Sequence, residues 1–185
     1  MTARILMEDD QQELLRQVVT EACMDMFTSF GAAVRVLDLG SPLPHGNHDI
    51  AGFIGFAGAV RGSLMISGPS RLFSTTYPAD KGGAKLAKAD VFDWTGELAN
   101  QLLGRVKRLF CARGRDFETS TPTAIEGREL GRRFPSRAGV LDLAFAVGGD
   151  VVSVCFEVTP PVEGKLFPEG AEPIASSSEG DVVLF

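Results

Sequence analysis

The stretch that most constrains the fold is ADVFDWTGELANQLLGRVKRLF, from Ala89 to Phe110. Its spacing predicts one long amphipathic helix over residues 90–110. At roughly 100° per residue, Val91, Leu98, Leu102, Val106 and Leu109 fall on one face and must be buried against something larger. Asp93, Glu97, Asn100, Gln101 and Gly104 fall on the opposite face. A carboxylate and a carboxamide three residues apart, Glu97 and Asn100, are therefore neighbours on the outer side of the helix.

Two residues on that outer side are poor choices for helix stability alone. Glycine in a helix interior costs about 1 kcal/mol relative to alanine, and Gly104 sits there. Asn100 offers its backbone competing hydrogen bonds. The plain alternative is a solvated face with an incidental asparagine, because average composition gives a Glu-x-x-Asn pair roughly once in every few chains of this length.

The chain has 185 residues, of which 44% are hydrophobic and 13 are Phe, enough for one domain with a sizeable core. Net charge is −6, which argues against a general polyanion binder. Three cysteines, Cys23, Cys111 and Cys155, are far apart and lie in apolar segments. That pattern fits reduced, buried thiols of a cytoplasmic protein and not a disulfide framework. No apolar run approaches a membrane span, and Glu8, Asp9 and Asp10 come too early for a secretory signal.

The remaining chain alternates helices with hairpins. A helix is expected over 8–30, with Leu14, Leu15, Val18, Val19, Ala22, Met26 and Phe27 inward and Gly31 ending it. A strand over 33–39 is followed by a turn-rich loop, 40–48. Strands over 49–57 and 60–67 form a hairpin. A short helix over 69–78 begins at Pro69-Ser70. After the long helix come a strand near 115–121, a segment rich in Gly and Arg, and a hairpin of 138–147 and 151–159 turning at Gly148-Gly149-Asp150. Pro160-Pro161 closes the domain, leaving an acidic C-terminal extension over 160–185. This order predicts an α+β fold, an antiparallel sheet of hairpins with the long helices packed on one side.

Other motifs carry less. Gly52, Gly55, Gly58 and Gly62 lie across a hairpin, not between a strand and a helix start, so they do not form a phosphate-cradling loop. His45 and His48 lack the cysteines or carboxylates of a metal site. No Gly-x-Ser-x-Gly elbow is present, and no cysteine has an activating partner in sequence. Arg105, Lys107, Arg108, Arg113 and Arg115, then Arg128, Arg132, Arg133 and Arg137, form a basic cluster. Cations suit a helix C-terminus; the same cluster could steer an acidic protein partner. No nucleic-acid reader motif accompanies it. The acidic tail could lie back on this cluster or stay disordered.

Three blocks in register resemble the CheX-type members of the CheC/CheX/FliY phosphatases of bacterial chemotaxis. They are Ile54-Gly55-Phe56-Ala57-Gly58 with Gly62-Ser63-Leu64, then Glu97-x-x-Asn100-x-x-x-Gly104, then Ser120-Thr121-Pro122-Thr123-Ala124-Ile125-Glu126-Gly127. The resemblance spans roughly residues 10–159, and it implies a CheX-like phosphatase domain over 1–159. It also implies hydrolysis of the aspartyl phosphate on a phosphorylated CheY-like receiver domain, with Glu97 and Asn100 as the catalytic pair. Asp93, Gln101 and Gly104 would then contact the partner. No cofactor is expected on this chain; Mg²⁺ is expected on the receiver. CheC-type relatives carry a second Glu-x-x-Asn on the first helix. Here Met24 follows Glu21 at that spacing, so the resemblance implies one site per chain, and a homodimer. No nucleic-acid or membrane partner is expected. Two further readings remain open at this level: a receiver-binding module without turnover, and an adaptor engaging a flagellar or signalling complex.

Overall fold

The computed structural model describes residues 7–37, 48–78, 86–127, 130, 139–159 and 165–168. Helix α1 (Asp9–Ser29) is followed by strand β1 (Val34–Leu37), the hairpin β2 (Ile50–Gly58) and β3 (Arg61–Gly68), and the short helix α2 (Ser70–Thr75). Then come the long helix α3 (Lys88–Cys111), strands β4 (Phe117–Thr119) and β5 (Thr123–Glu126), and the hairpin β6 (Val140–Val147) and β7 (Asp150–Thr159). The seven strands among the described residues form one sheet in the order β1-β6-β7-β3-β2-β4, with β5 also paired to β2. Every pairing is antiparallel.

The register explains the core. Leu141, Phe156, Leu64 and Ile54 are cross-strand neighbours on β6, β7, β3 and β2, and all are almost fully buried. Side chains alternate across a sheet, so the neighbouring positions Ser63, Met65, Ser67, Ser153 and Glu157 point the other way. The helices α1 and α3 pack on each other, α1 over β1 and β6 and α3 over β2, β3 and β5. Their inward stripes join the apolar sheet face in one core.

Helix α1 has Asp9 and Asp10 in its first turn, where the helix dipole favours them. It ends in a Schellman turn: Gly31 N–H donates to Thr28 O at 2.8 Å and Ala32 N–H to Phe27 O at 3.1 Å, with Gly31 at φ +73°. Helix α3 starts where Asp90 Oδ2 accepts from the Ala87 N–H at 3.0 Å. Its buried residues include Val91, Trp94, Leu98, Ala99, Leu102, Leu103, Val106 and Phe110. Leu109, expected on the inner face, is only half-buried.

Several expectations are corrected. The strand expected near 115–121 is short, β4 alone, and a second strand, β5, follows it in the segment expected to be irregular. β4 pairs Thr119 with Phe56, whereas β5 pairs Thr123 with Phe53, so one extra residue is accommodated between them, as in a β-bulge. Pro122, which has no N–H for the ladder, sits at that break. Ser120 holds the junction, its N–H donating to Gly55 O at 2.9 Å and its Oγ accepting from Gly55 N–H at 3.0 Å.

The cysteines differ from one another: Cys23 and Cys155 are buried, but Cys111 is exposed. The packed part of the chain also runs past Thr159. Leu166 and Phe167 are each 1% exposed and belong to the core. The Phe167 ring lies 4.9 Å from that of Phe110, and its N–H donates to Gln11 Oε1 at 2.7 Å. Arg115 is drawn onto this segment, donating to Leu166 O at 2.9 Å and Lys165 O at 2.6 Å. Among the described residues its partners are therefore main-chain carbonyls. His45, Arg128, Arg132, Arg133 and Arg137, with the acidic positions 163, 169, 172, 179 and 181, lie outside the described residues.

Candidate functional site

The outer face of α3 is positioned from beneath. A Cβ on Gly52 would collide with the Thr95 carbonyl oxygen and come within 3.0 Å of Ala99 Cβ. Glycine on β2 therefore lets the helix backbone settle onto the strand. Thr95 and Ala99 bracket Glu97 in sequence, so this contact fixes the height of the turn that carries it. At Gly96 a Cβ would lie 3.8 Å from Pro122, which places the β4–β5 break beside the same turn. At the start of the helix, Trp94 Nε1 donates to Thr76 Oγ1 at 2.9 Å.

The five residues expected on the outer face are all there. Asp93 and Gly104 are exposed; Glu97, Asn100 and Gln101 are half-buried. Gln101 Nε2 donates to Glu97 Oε1 at 3.1 Å. Among the described residues the Asn100 carboxamide has no hydrogen-bond partner. A Cβ on Gly104 would meet nothing within 4 Å.

One border of the site is built by residues read only as part of a basic cluster. Arg105 Nε donates to Asp25 Oδ2 at 2.9 Å and Nη2 to Ser29 Oγ at 3.2 Å, tying α3 to the last turn of α1. Arg108 lies 3.6 Å from the same Asp25 oxygen. Farther along, Arg113 is buried and donates to Leu109 O at 2.9 Å. Among the described residues of the basic cluster, Arg105, Arg113 and Arg115 are thus tied into the fold. The opposing acid, Asp25, lies 80 residues away from Arg105, so local sequence gave no sign of the pair.

The chemistry available is narrow. Burial pushes the Cys23 thiol far up from its ordinary range. Partial desolvation, then the hydrogen bond to Asp116 and that carboxylate's charge, push Cys111 up as well. Neither is an activated nucleophile. Among the described residues no group of three or more His, Cys, Asp or Glu could hold a metal ion. His48 is buried, with Nδ1 3.0 Å from Ser67 Oγ. No helix among the described residues is long and apolar enough to cross a membrane. The equivalent positions of α1 are Glu21, which is exposed, and Met24, which is packed against the core.

The face of α3 thus offers two carboxylates, Asp93 and Glu97, and two carboxamides, Asn100 and Gln101, on a braced helix. The profile of the family described as chemotaxis phosphatase CheX matches residues 50–146, just over half the chain, from β2 into β6 and including all of α3. The chain belongs to the CheX family. The CheX of Vibrio vulnificus has a similar structure, with a TM-score of 0.66 and 18% identity, over 78% of this chain and 96% of that one. A CheX from Desulfovibrio desulfuricans gives a TM-score of 0.66 and 16% identity, over 78% of this chain and 99% of that one. The structure of a CheX–CheY–BeF₃–Mg²⁺ complex from Borrelia burgdorferi matches with a TM-score of 0.55 and 18% identity, over 82% of this chain and 99% of that one. At these identities the structures establish a shared CheX fold. No curated protein matches the sequence.

Proposed function

We propose that this protein is a phosphatase for a CheY-like receiver domain and hydrolyses its aspartyl phosphate, with the outer face of α3 as the site. The observation that carries the reading is the joint display of Glu97 and Asn100, half-buried and adjacent, on a helix fixed to the sheet at Gly52. The Borrelia burgdorferi relative in complex with CheY, BeF₃ and Mg²⁺ supports the choice of partner.

The division of labour follows from the residue types. The receiver brings the phospho-aspartate, a Lys near the phosphate and its own Mg²⁺, which neutralises phosphoryl charge. What it lacks is a water held in line with the leaving carboxylate. A carboxamide both accepts from and donates to water without repelling the phosphoryl group, and Asn100 fills that role. Its contribution is positioning, not proton abstraction. Glu97 pairs with the receiver's Lys and sets the docking register. Asp93 and Gly104, above and below on the same face, border the contact. The family resemblance extends the proposal to a cytoplasmic homodimer with one site per chain; sedimentation of the purified protein checks the dimer.

The test is loss of phosphate from a Mg²⁺-loaded, phosphorylated CheY-like receiver, with and without this protein. Acceleration by the wild type is expected. Asn100→Ala should lower kcat about a hundredfold or more while the complex persists. Glu97→Ala should mainly weaken the complex. A binding module would hold the receiver with no acceleration at all, and full activity in both variants would remove the assigned site.

A further inference from the structure

Glu97 is not a lone surface acid. One of its oxygens, Oε1, accepts from Gln101 Nε2 at 3.1 Å, one helical turn away. Gln101 is itself held at its backbone, where Arg105 Nη1 donates to its carbonyl at 3.4 Å. Arg105 is in turn fastened to Asp25 and Ser29 of α1, at 2.9 and 3.2 Å, with its side chain only 21% exposed. The carboxylate therefore stands at the end of a chain of contacts that begins on the neighbouring helix.

A free glutamate on a helix surface samples many rotamers and loses that freedom when it pairs. Holding one oxygen beforehand reduces the loss on docking and leaves Oε2 for a cation. The residue type at 101 matters for the same reason. A lysine there would neutralise Glu97 and compete with an incoming ammonium, and a glutamate would repel the Glu97 carboxylate at this spacing. A carboxamide donates without carrying charge.

We propose that Gln101 is a positioning residue that pre-orients the Glu97 carboxylate for the cation of the docking partner. This assigns Gln101 an action through Glu97, not a contact of its own with the partner. It rests on the reading of the α3 face as the receiver-docking site.

The experiment is a double-mutant cycle on affinity for a Mg²⁺-loaded CheY-like receiver, with beryllofluoride standing in for the phosphoryl group. Gln101→Leu keeps helix propensity and removes the hydrogen bond. It should weaken binding about three- to tenfold, as expected for one partly exposed bond to a charged group. KM should rise by the same factor with kcat unchanged, and the circular dichroism spectrum should not move. In the Glu97→Ala background, Gln101→Leu should have no further effect. Gln101→Lys should also bind more weakly than the wild type. An equal loss from Gln101→Leu in both backgrounds would overturn the proposal, because Gln101 would then touch the partner directly. So would wild-type affinity in Gln101→Leu or in Gln101→Lys. The underlying reading fails with a different signature: there Glu97→Ala itself binds the receiver as tightly as the wild type.

Discussion

Gly104 has no contact within this chain that requires glycine, since a Cβ there meets open space. Gly104→Ala should therefore stabilise the fold by about 1 kcal/mol and raise Tm by about 2–4 °C. If a partner approaches this face closely, the same variant should bind the receiver more weakly. Melting and binding measured together decide it: a rise in both stability and affinity would show that no partner needs the space. The thiols make a second case at this scale. Only Cys111 is exposed, so one of the three should be alkylated in the native protein. Its thiol is pushed up by desolvation and by Asp116. The reactive thiolate is therefore scarcer at neutral pH than in a free cysteine, and the rate should climb as pH rises past the ordinary thiol range. Alkylation of two or more thiols at equal rates would contradict the burial of Cys23 and Cys155. The outer-face placement of Glu97 and Asn100 was legible in the sequence because helical period sorts inner from outer positions, whereas their selection as a site rested on the family resemblance. The hydrogen bond between Glu97 and Gln101 was open to the same argument through their spacing of four. The Arg105–Asp25 bridge was not, because its partners lie on different helices.

Among the elements, α3 depends most on what lies beneath it. Gly52→Ala would force a Cβ against the Thr95 carbonyl, and backbone cannot rotate away as a side chain can. Overpacking of this kind costs about 1–3 kcal/mol. Because the displaced turn carries Glu97, receiver affinity should fall along with stability. A denaturant titration and a binding curve on the same sample check both. If stability falls while affinity holds, the helix has shifted without moving the site. The long helices and both hairpins were readable from periodicity and turn residues. The break after β4 had its signal in Pro122, but the further strand β5 and the one-residue offset in pairing along β2 are visible only in the register. Leu166 and Phe167 escaped notice because two apolar residues isolated among Gly, Glu and Pro have no period. Their burial is decided by Phe110, Gln11 and Arg115, all distant in the chain.

The order of strands in the sheet could not be read from the sequence at all. Hairpins fix which consecutive strands pair, but nothing local says that the last hairpin inserts between β1 and β3. That arrangement bears on synthesis. As the chain leaves the ribosome, β1 has no partner, and β3 has one edge open, until residues 140–159 arrive. The open edge runs along Leu64 and Ile66, which are fully buried in the finished molecule. Unpaired edges of this kind template association between nascent chains. A chain stopped before Val140 should accordingly collect in the insoluble fraction, whereas a soluble monomer of that length would show that the early elements protect the edge by other means. The centre of the sheet is thus the last part of it to be made, and α3, which carries the proposed site, emerges before the sheet beneath it is complete.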